Sequence, residues 1–288
     1  MGTDSYRFTV GAIECIAVSD GTFTYPSNAF VANTPVERFD QELRDHNLPP
    51  HEVLSPYTCL YINTGKNRLL VDTGAGFAPT NGKLFENLTA EGIAAADIDT
   101  IILTHGHADH IGGTTTDNAT PAFPNARYVM WQEEWDFWSQ EQPNLKPMPA
   151  DEHIKHLLIE FAHAKLPPLR GQIDLLDREK EVVPGIYAIP APGHTPGHMA
   201  LLISSGDQQV LHIADTVLHP ILMEHPEWYP SFDLQPELAA ATKRRILDRA
   251  AVDKALALAF HFPFPSLGYV VQKGKGWQWQ PFDREATA

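Results

Sequence analysis

The chain has 288 residues, enough to bury a sizeable core. Its 21 Lys and Arg against 36 Asp and Glu leave a formal charge of −15, which repels a phosphate backbone and excludes nucleic acid as the favoured partner. No apolar run of about 20 residues could span a membrane, and residues 1–20 lack the basic start and long apolar run of a secretory signal, so a cytoplasmic protein acting on a neutral or cationic small molecule is expected.

Taken in chain order, residues 7–19 alternate polar and apolar with a slip near Gly11 and Ala12, which predicts a strand pair or a bulged strand. Residues 58–63 and 68–72 predict a hairpin across Thr64-Gly65-Lys66-Asn67, whose Gly and Asn tolerate the positive φ of a tight turn. A helix over 83–89 precedes a buried strand over 98–103, which runs straight into a histidine-rich loop. Strand 127–131, helices 132–139 and 151–165, and strand 186–189 follow, the last ending in a second loop of Gly, Pro and His. Strands 198–204 and 209–213 pair across Ser205-Gly206-Asp207-Gln208, Pro236 opens a helix over 236–250, and strand 256–260 ends at His261.

Apolar residues recur along the whole length and no stretch has linker composition, so residues 1–288 read as a single domain. Strands interleaved with helices in both halves predict an α/β (α+β) fold of two central sheets covered by helices. Cys15 and Cys59 stand far apart in strand-like contexts, outside any metal or redox spacing, and are expected as buried reduced thiols.

The strongest chemical signal is Thr104-His105-Gly106-His107-Ala108-Asp109-His110, directly after a buried strand. Imidazoles and a carboxylate packed this densely are costly to bury unless something pairs with them, and a divalent cation does so well. In an extended loop residues two apart point to the same side, so His105 and His107 can share one ion while Asp109 and His110 face a second. Gly112 and Gly113 then suit a tight turn. Two metal shells need further donors, and three later strand ends offer them: Pro192-Gly193-His194-Thr195-Pro196-Gly197-His198, Ile213-Ala214-Asp215, and Phe260-His261.

In this order, with the Val71-Asp72-Thr73-Gly74 turn ahead of them, these motifs resemble the metallo-β-lactamase superfamily over residues 69–264. The resemblance implies a four-layer αββα sandwich of two similar halves and two divalent ions per chain, zinc in the first place with manganese, cobalt or iron as alternatives. It assigns His105, His107 and His194 to one ion and Asp109, His110 and His261 to the other, with Asp215 bridging. Asp72 would buttress the loop by hydrogen bonds, and His198 would orient a loop because both shells are already full. His212 reads as strand packing, and His153, His156 and His163 as helix residues without a metal role.

Two ions close together lower the pKa of a shared water and present it as hydroxide, so hydrolysis is the expected chemistry, with Asp109 relaying a proton to the leaving group. Asp215 points away from true β-lactamases, which commonly lack an acid there. Acyl-homoserine-lactone lactonases typically place a tyrosine three residues after the bridging Asp, where this chain has Leu218. The run His261-Phe262-Pro263-Phe264-Pro265 looks more like methyl parathion hydrolase and its ester- and lactone-cleaving relatives. Trp228, Tyr229, Phe232, Phe262 and Phe264, with Leu218, are candidates for an apolar substrate pocket and Phe30 for the cover of its mouth, each weighed against ordinary core packing. The stretch 220–232 suits a homodimer interface equally well.

The expected function is hydrolysis of small apolar esters or lactones, with organophosphate triesters as a further class. The alternatives are a glyoxalase II-like thioester hydrolase, for which the only dense basic cluster is Lys243-Arg244-Arg245 on an exposed helix face, a mononuclear iron oxidoreductase of the persulfide dioxygenase type, and a metal-stabilised binding module.

Overall fold

The computed structural model describes residues 4–76 and 80–283; the ends of the 1–288 span and residues 77–79 lie outside them. Two seven-stranded sheets are each ordered along the chain. The first holds β1 (Ser5–Val10), β2 (Ile13–Pro26), β3 (Glu52–Asn63), β4 (Arg68–Val71), β5 (Thr100–Ile102), β6 (Arg127–Trp131) and β7 (Ile173–Leu176). The second holds β8 (Lys180–Val183), β9 (Ile186–Pro190), β10 (Met199–Ser205), β11 (Gln208–His212), β12 (Leu256–Leu258), β13 (Leu267–Lys273) and β14 (Gly276–Pro281). The helices are α1 (Val36–Asp45), α2 (Leu84–Ala90), α3 (Ala108–Ile111), α4 (Gln132–Trp138), α5 (Glu152–Lys165), α6 (Ile221–Glu224) and α7 (Pro236–Asp253).

Strand alternation sorts the apolar side chains into three buried layers. Leu69, Val71, Ile102 and Val129 of the first sheet pack with Ala188, Leu201, Ile203, Val210 and Leu258 of the second, forming the seam between the sheets. Their neighbours Leu70, Ile101 and Tyr128 turn the other way, onto Leu88 of α2, Trp135 of α4 and Leu158 of α5. Ala200, Leu211 and Ala257 face outward onto Ile221 of α6 and Ile246 and Leu247 of α7. The result is the αββα sandwich. No helix among the described residues is long and apolar enough to cross a membrane.

This topology places one edge of the sandwich under the chemistry. Strands β4 to β7 run parallel, β9 and β11 are both antiparallel to β10, and β12 is parallel to β11. The chain therefore leaves β4, β5, β9, β11 and β12 towards Asp72, His105, His194, Asp215 and His261 respectively, a common arrangement in which a rigid sheet supports reactive loops.

Elements absent from the sequence reading are α1, the short helices α3 and α6, the charged edge strands β7 and β8, and the closing hairpin β13–β14. Strand β3 also begins at Glu52, ahead of the expected start. The cysteines are free and buried, and burial pushes the Cys15 thiol up to about 12. His212 lies on the seam face of β11 as packing, and burial brings it down to about 4, keeping it neutral.

Candidate metal centre

The histidine-rich segment is not extended throughout. It is extended as far as His107 (φ −74°, ψ 155°), and then Ala108–Ile111 forms the single turn α3, so Asp109 and His110 project from a helix. That turn packs closely: a Cβ on Gly112 would lie 2.0 Å from the Ala75 carbonyl oxygen, which only a glycine permits. Asp215 follows Ala214, a non-glycine residue at φ 44°, a costly conformation of the kind that clusters at functional sites.

Three overlapping groups of donors have atoms within 4.8 Å of one another: His105, His107 and His194; His105, His110 and Asp215; and Asp109, His110 and His261. The structure thus brings together all seven residues singled out as ligands. Asp215 is central. Its Oδ2 lies 3.1 Å from His261 Nε2, 3.4 Å from His194 Nε2 and 3.8 Å from His105 Nε2, while Oδ1 lies 3.3 Å from His110 Nε2. Asp109 Oδ2 is 3.4 Å from His261 Nε2 and 3.9 Å from His110 Nε2, and its carboxylate is the most open of the set.

The donor chemistry fits divalent ions. Nε2 of His105, His107 and His110 and Oδ1 of Asp215 are buried without a hydrogen-bond partner among the described residues, and His194 Nε2 faces His107 Nδ1 at 3.0 Å. Buried lone pairs left this way are expensive, and a shared cation is what satisfies them. Burial and the neighbouring imidazoles hold His105 and His107 well below the usual histidine range, which favours the neutral ligand form. Burial also opposes charge on His110, but Asp215, Asp72 and Asp109 outweigh it and push His110 well above that range. For Asp215, burial is outweighed by His261 and His110, so its carboxyl sits well below the usual carboxylate range.

A surrounding set of groups aims these donors. Asp72, at φ 62°, accepts from His110 Nδ1 at 2.8 Å and from both the backbone N–H and the hydroxyl of Thr104 at 2.8 Å. His198 donates from Nδ1 to the Ala191 carbonyl at 2.9 Å and accepts the Asp215 N–H at Nε2, 3.1 Å away. Burial, with His194 nearby, brings His198 down to about 3, so the neutral ring can accept. Three partners had no sequence signal: Asp233 accepts from His194 Nδ1 at 2.9 Å, Ser55 Oγ lies 2.9 Å from His261 Nδ1, and Glu134 accepts backbone N–H groups from both histidine loops. Their separations from the residues they serve, 39, 206, and 28 or 63 positions, explain the silence.

The aromatic candidates divide. Trp228 is interior, stacked on His225 at 4.0 Å and edge-on to Phe39, and Phe262 is fully buried edge-on to Trp279 at 4.8 Å; both are packing residues of the outer layer, a correction to the pocket reading. Leu218 belongs to the same layer, and Phe264 is half-buried against the seam. Tyr229 is half-buried, its carbonyl accepting from the Ala32 N–H. Phe30 is buried rather than an open cover, stacked on Phe39 at 6.1 Å and edge-on to His219. Half-buried Phe232 meets Tyr25 at 5.7 Å, Tyr25 also meets Phe30 at 6.0 Å, and the Tyr25 and Tyr57 hydroxyls are 2.6 Å apart. Tyr57 in turn is edge-on to His261 at 5.3 Å, so an aromatic wall runs from His261 to Phe30 and Phe232. The basic cluster on α7 is also split: Arg244 and Arg245 are exposed, but Lys243 points inward and donates to the Trp228 carbonyl at 2.7 Å.

Comparison with known proteins places this geometry. An N-acyl homoserine lactonase of a Bacillus species is 27% identical over 245 residues, covering 77% of this chain and 88% of its own length. The Bacillus thuringiensis N-acyl homoserine lactonase is 24% identical over 237 residues, covering 74% and 84%. Among solved structures, AidC, a dizinc quorum-quenching lactonase in complex with a product, superposes with a TM-score of 0.90 at 28% identity, covering 98% of this chain and 99% of its own. The hydrolase AbOPH of the beta lactamase superfamily gives 0.89 at 26% identity, with the same coverage. The family model of the metallo-beta-lactamase superfamily matches residues 54–261, from the strand beside Ser55 to the last histidine of the cluster, and the chain belongs to that superfamily.

Proposed function

We propose that the protein is a dinuclear metal-dependent hydrolase that opens lactones and cleaves small apolar esters, with organophosphate triesters as a further substrate class. The observation that carries this reading is the convergence of two donor trios on one carboxylate, Asp215. His105, His107 and His194 would hold one ion and Asp109, His110 and His261 the other, with the Asp215 carboxylate available between the two trios. Zinc is the ion that best suits the imidazole and carboxylate donors. Bound there, the ions supply an activated water and a Lewis acid for the oxygen of the group attacked.

The chain's own residues provide the remaining steps. Opening a lactone adds water across the acyl C–O bond, leaving hydroxyl on the carbonyl carbon and a proton on the ring oxygen. Asp109, the most solvent-open carboxylate of the cluster, carries that proton to the leaving oxygen. Half-buried Tyr25 and Phe232, backed by the buried Tyr57 and Phe30, would receive the apolar part of the substrate and exclude water beside the reacting bond. Relatives named as N-acyl homoserine lactonases and the dizinc quorum-quenching lactonase AidC support the lactone class, and the charge of −15 disfavours anionic substrates.

The test is a matched substrate panel on zinc-loaded protein: an acyl-homoserine lactone, a coumarin-type lactone, an aryl ester, methyl parathion and a glutathione thioester. Preference for lactone or aryl ester, abolished in His107→Ala, is the expected result. Preference for the thioester would move the protein to the glyoxalase branch, and silence across the panel with two ions bound would overturn the reading.

A further inference from the structure

Glu134 is a carboxylate buried to full exclusion of solvent on α4, outside every donor group. Its Oε1 accepts from the Gly106 N–H at 2.7 Å and from the Trp138 indole N–H, one turn along the helix, at 2.7 Å. Its Oε2 accepts from the Gly197 N–H at 2.8 Å. Gly106 lies between His105 and His107 on a loop from the first sheet, and Gly197 lies in the His194 loop of the second. One side chain therefore ties together the two loops that carry the three-histidine trio. No hydrogen bond joins it to Asp109, His110 or His261 among the described residues.

The two glycines carry the same message. Neither adopts a positive φ, so neither is demanded by backbone conformation. A Cβ on Gly106 would fall 2.4 Å from the Trp138 ring, and one on Gly197 would fall 2.3 Å from the Glu134 backbone nitrogen. Both amides are drawn against α4 so closely that no side chain fits, so the glycines of the His-Gly-His and Pro-Gly-His motifs are fixed by what α4 presents to them. A buried carboxylate that accepts three hydrogen bonds from fixed donors offsets its desolvation by holding those donors in place.

We infer that Glu134 is a positioning residue for one ion of the pair: it clamps the His105–His107 loop to the His194 loop and so sets the separation of the three imidazoles, while no bond of its own reaches Asp109, His110 or His261. The inference rests on the dinuclear reading above.

The experiment is zinc and cobalt titration of wild-type protein, Glu134→Gln and Glu134→Asp, read as metal equivalents retained against a chelator and as the cobalt visible absorption spectrum, with far-UV circular dichroism as the control for folding. Gln keeps the volume but offers one acceptor where two amides need two; Asp keeps the charge but is one methylene too short to reach both loops. Each variant is expected to lose about 10- to 100-fold in affinity for one ion, the scale of lost support to a ligand, while the other ion binds as in wild type. The cobalt spectrum should change in one component only. Retention of both ions at wild-type affinity, equal loss of both, or failure of both variants to fold would each overturn the inference, the last by making Glu134 a framework residue. Wild-type protein that binds fewer than two ions would instead sink the dinuclear reading itself.

Discussion

Asp109 differs from its neighbours in one respect that matters for chemistry. His105 and His110 are closed off entirely and Asp215 almost so, whereas the Asp109 side chain remains 17% exposed while its Oδ2 reaches His261 Nε2 at 3.4 Å. A ligand that also meets solvent and substrate can exchange a proton, and one that is sealed cannot. Replacing Asp109 with Asn keeps the shape and an oxygen donor but removes the carboxylate proposed to carry the proton. Turnover is therefore expected to fall by about 100-fold or more, the usual scale of general acid–base catalysis, with a smaller loss of bound metal. Steady-state kinetics alongside metal analysis of the same preparation checks this, and activity that only tracked occupancy would remove Asp109 from the proton path. Asp72 makes a contrast at the same scale. Its turn was readable because Val71-Asp72-Thr73-Gly74 sits at a strand end, whereas Asp233 does a comparable task for His194 from a loop that nothing in its local sequence distinguishes.

Among the elements, α7 shows how a helix face misleads when read from charge alone. Lys243-Arg244-Arg245 suggests an exposed basic patch, yet the helix turns Lys243 inward, where its ammonium donates to the Trp228 carbonyl and anchors the 220–232 loop. Burial pulls Lys243 down to about 8 from an ordinary 10.5. Between those values the unfolded chain binds more protons than the folded one, so stability rises with pH across that window, and the cost of burying the charge is fully present below about 8. Denaturant titrations from pH 7 to 11 should show this rise, of at most about 3 kcal/mol, and Lys243→Met should flatten it. An identical slope in the variant would place the ionisation elsewhere. The same logic explains what else was legible. Strands β4, β5 and β6 are short apolar runs bounded by turns and were readable, as was α5 with Asp151 capping its start. Helix α1 turns only Phe39, Asp40 and Leu43 inward, too thin a stripe to announce a helix, and β7 and β8 are half-exposed edge strands carrying charges.

For the whole molecule, the sandwich explains why a chain so acidic gathers seven buried or half-buried metal-type donors at one place. Two sheets direct five strand ends to a common edge, the seam between them is built of apolar side chains, and the outer helices pack on the far faces of the sheets. Strand order and donor order are therefore the same fact, which is why the seven donors could be picked out in sequence, while of the aromatic wall only Phe30 and Phe232 could. The donors lie in dense local motifs at strand ends, but the wall is assembled from Tyr25, Phe30, Tyr57 and Phe232, which only the packed sheets bring together. If this edge holds two ions about one carboxylate, native mass spectrometry of zinc-loaded protein should find two zinc ions per wild-type chain; a single tightly held ion, above all a single iron recovered from the purified protein, would contradict the dinuclear reading.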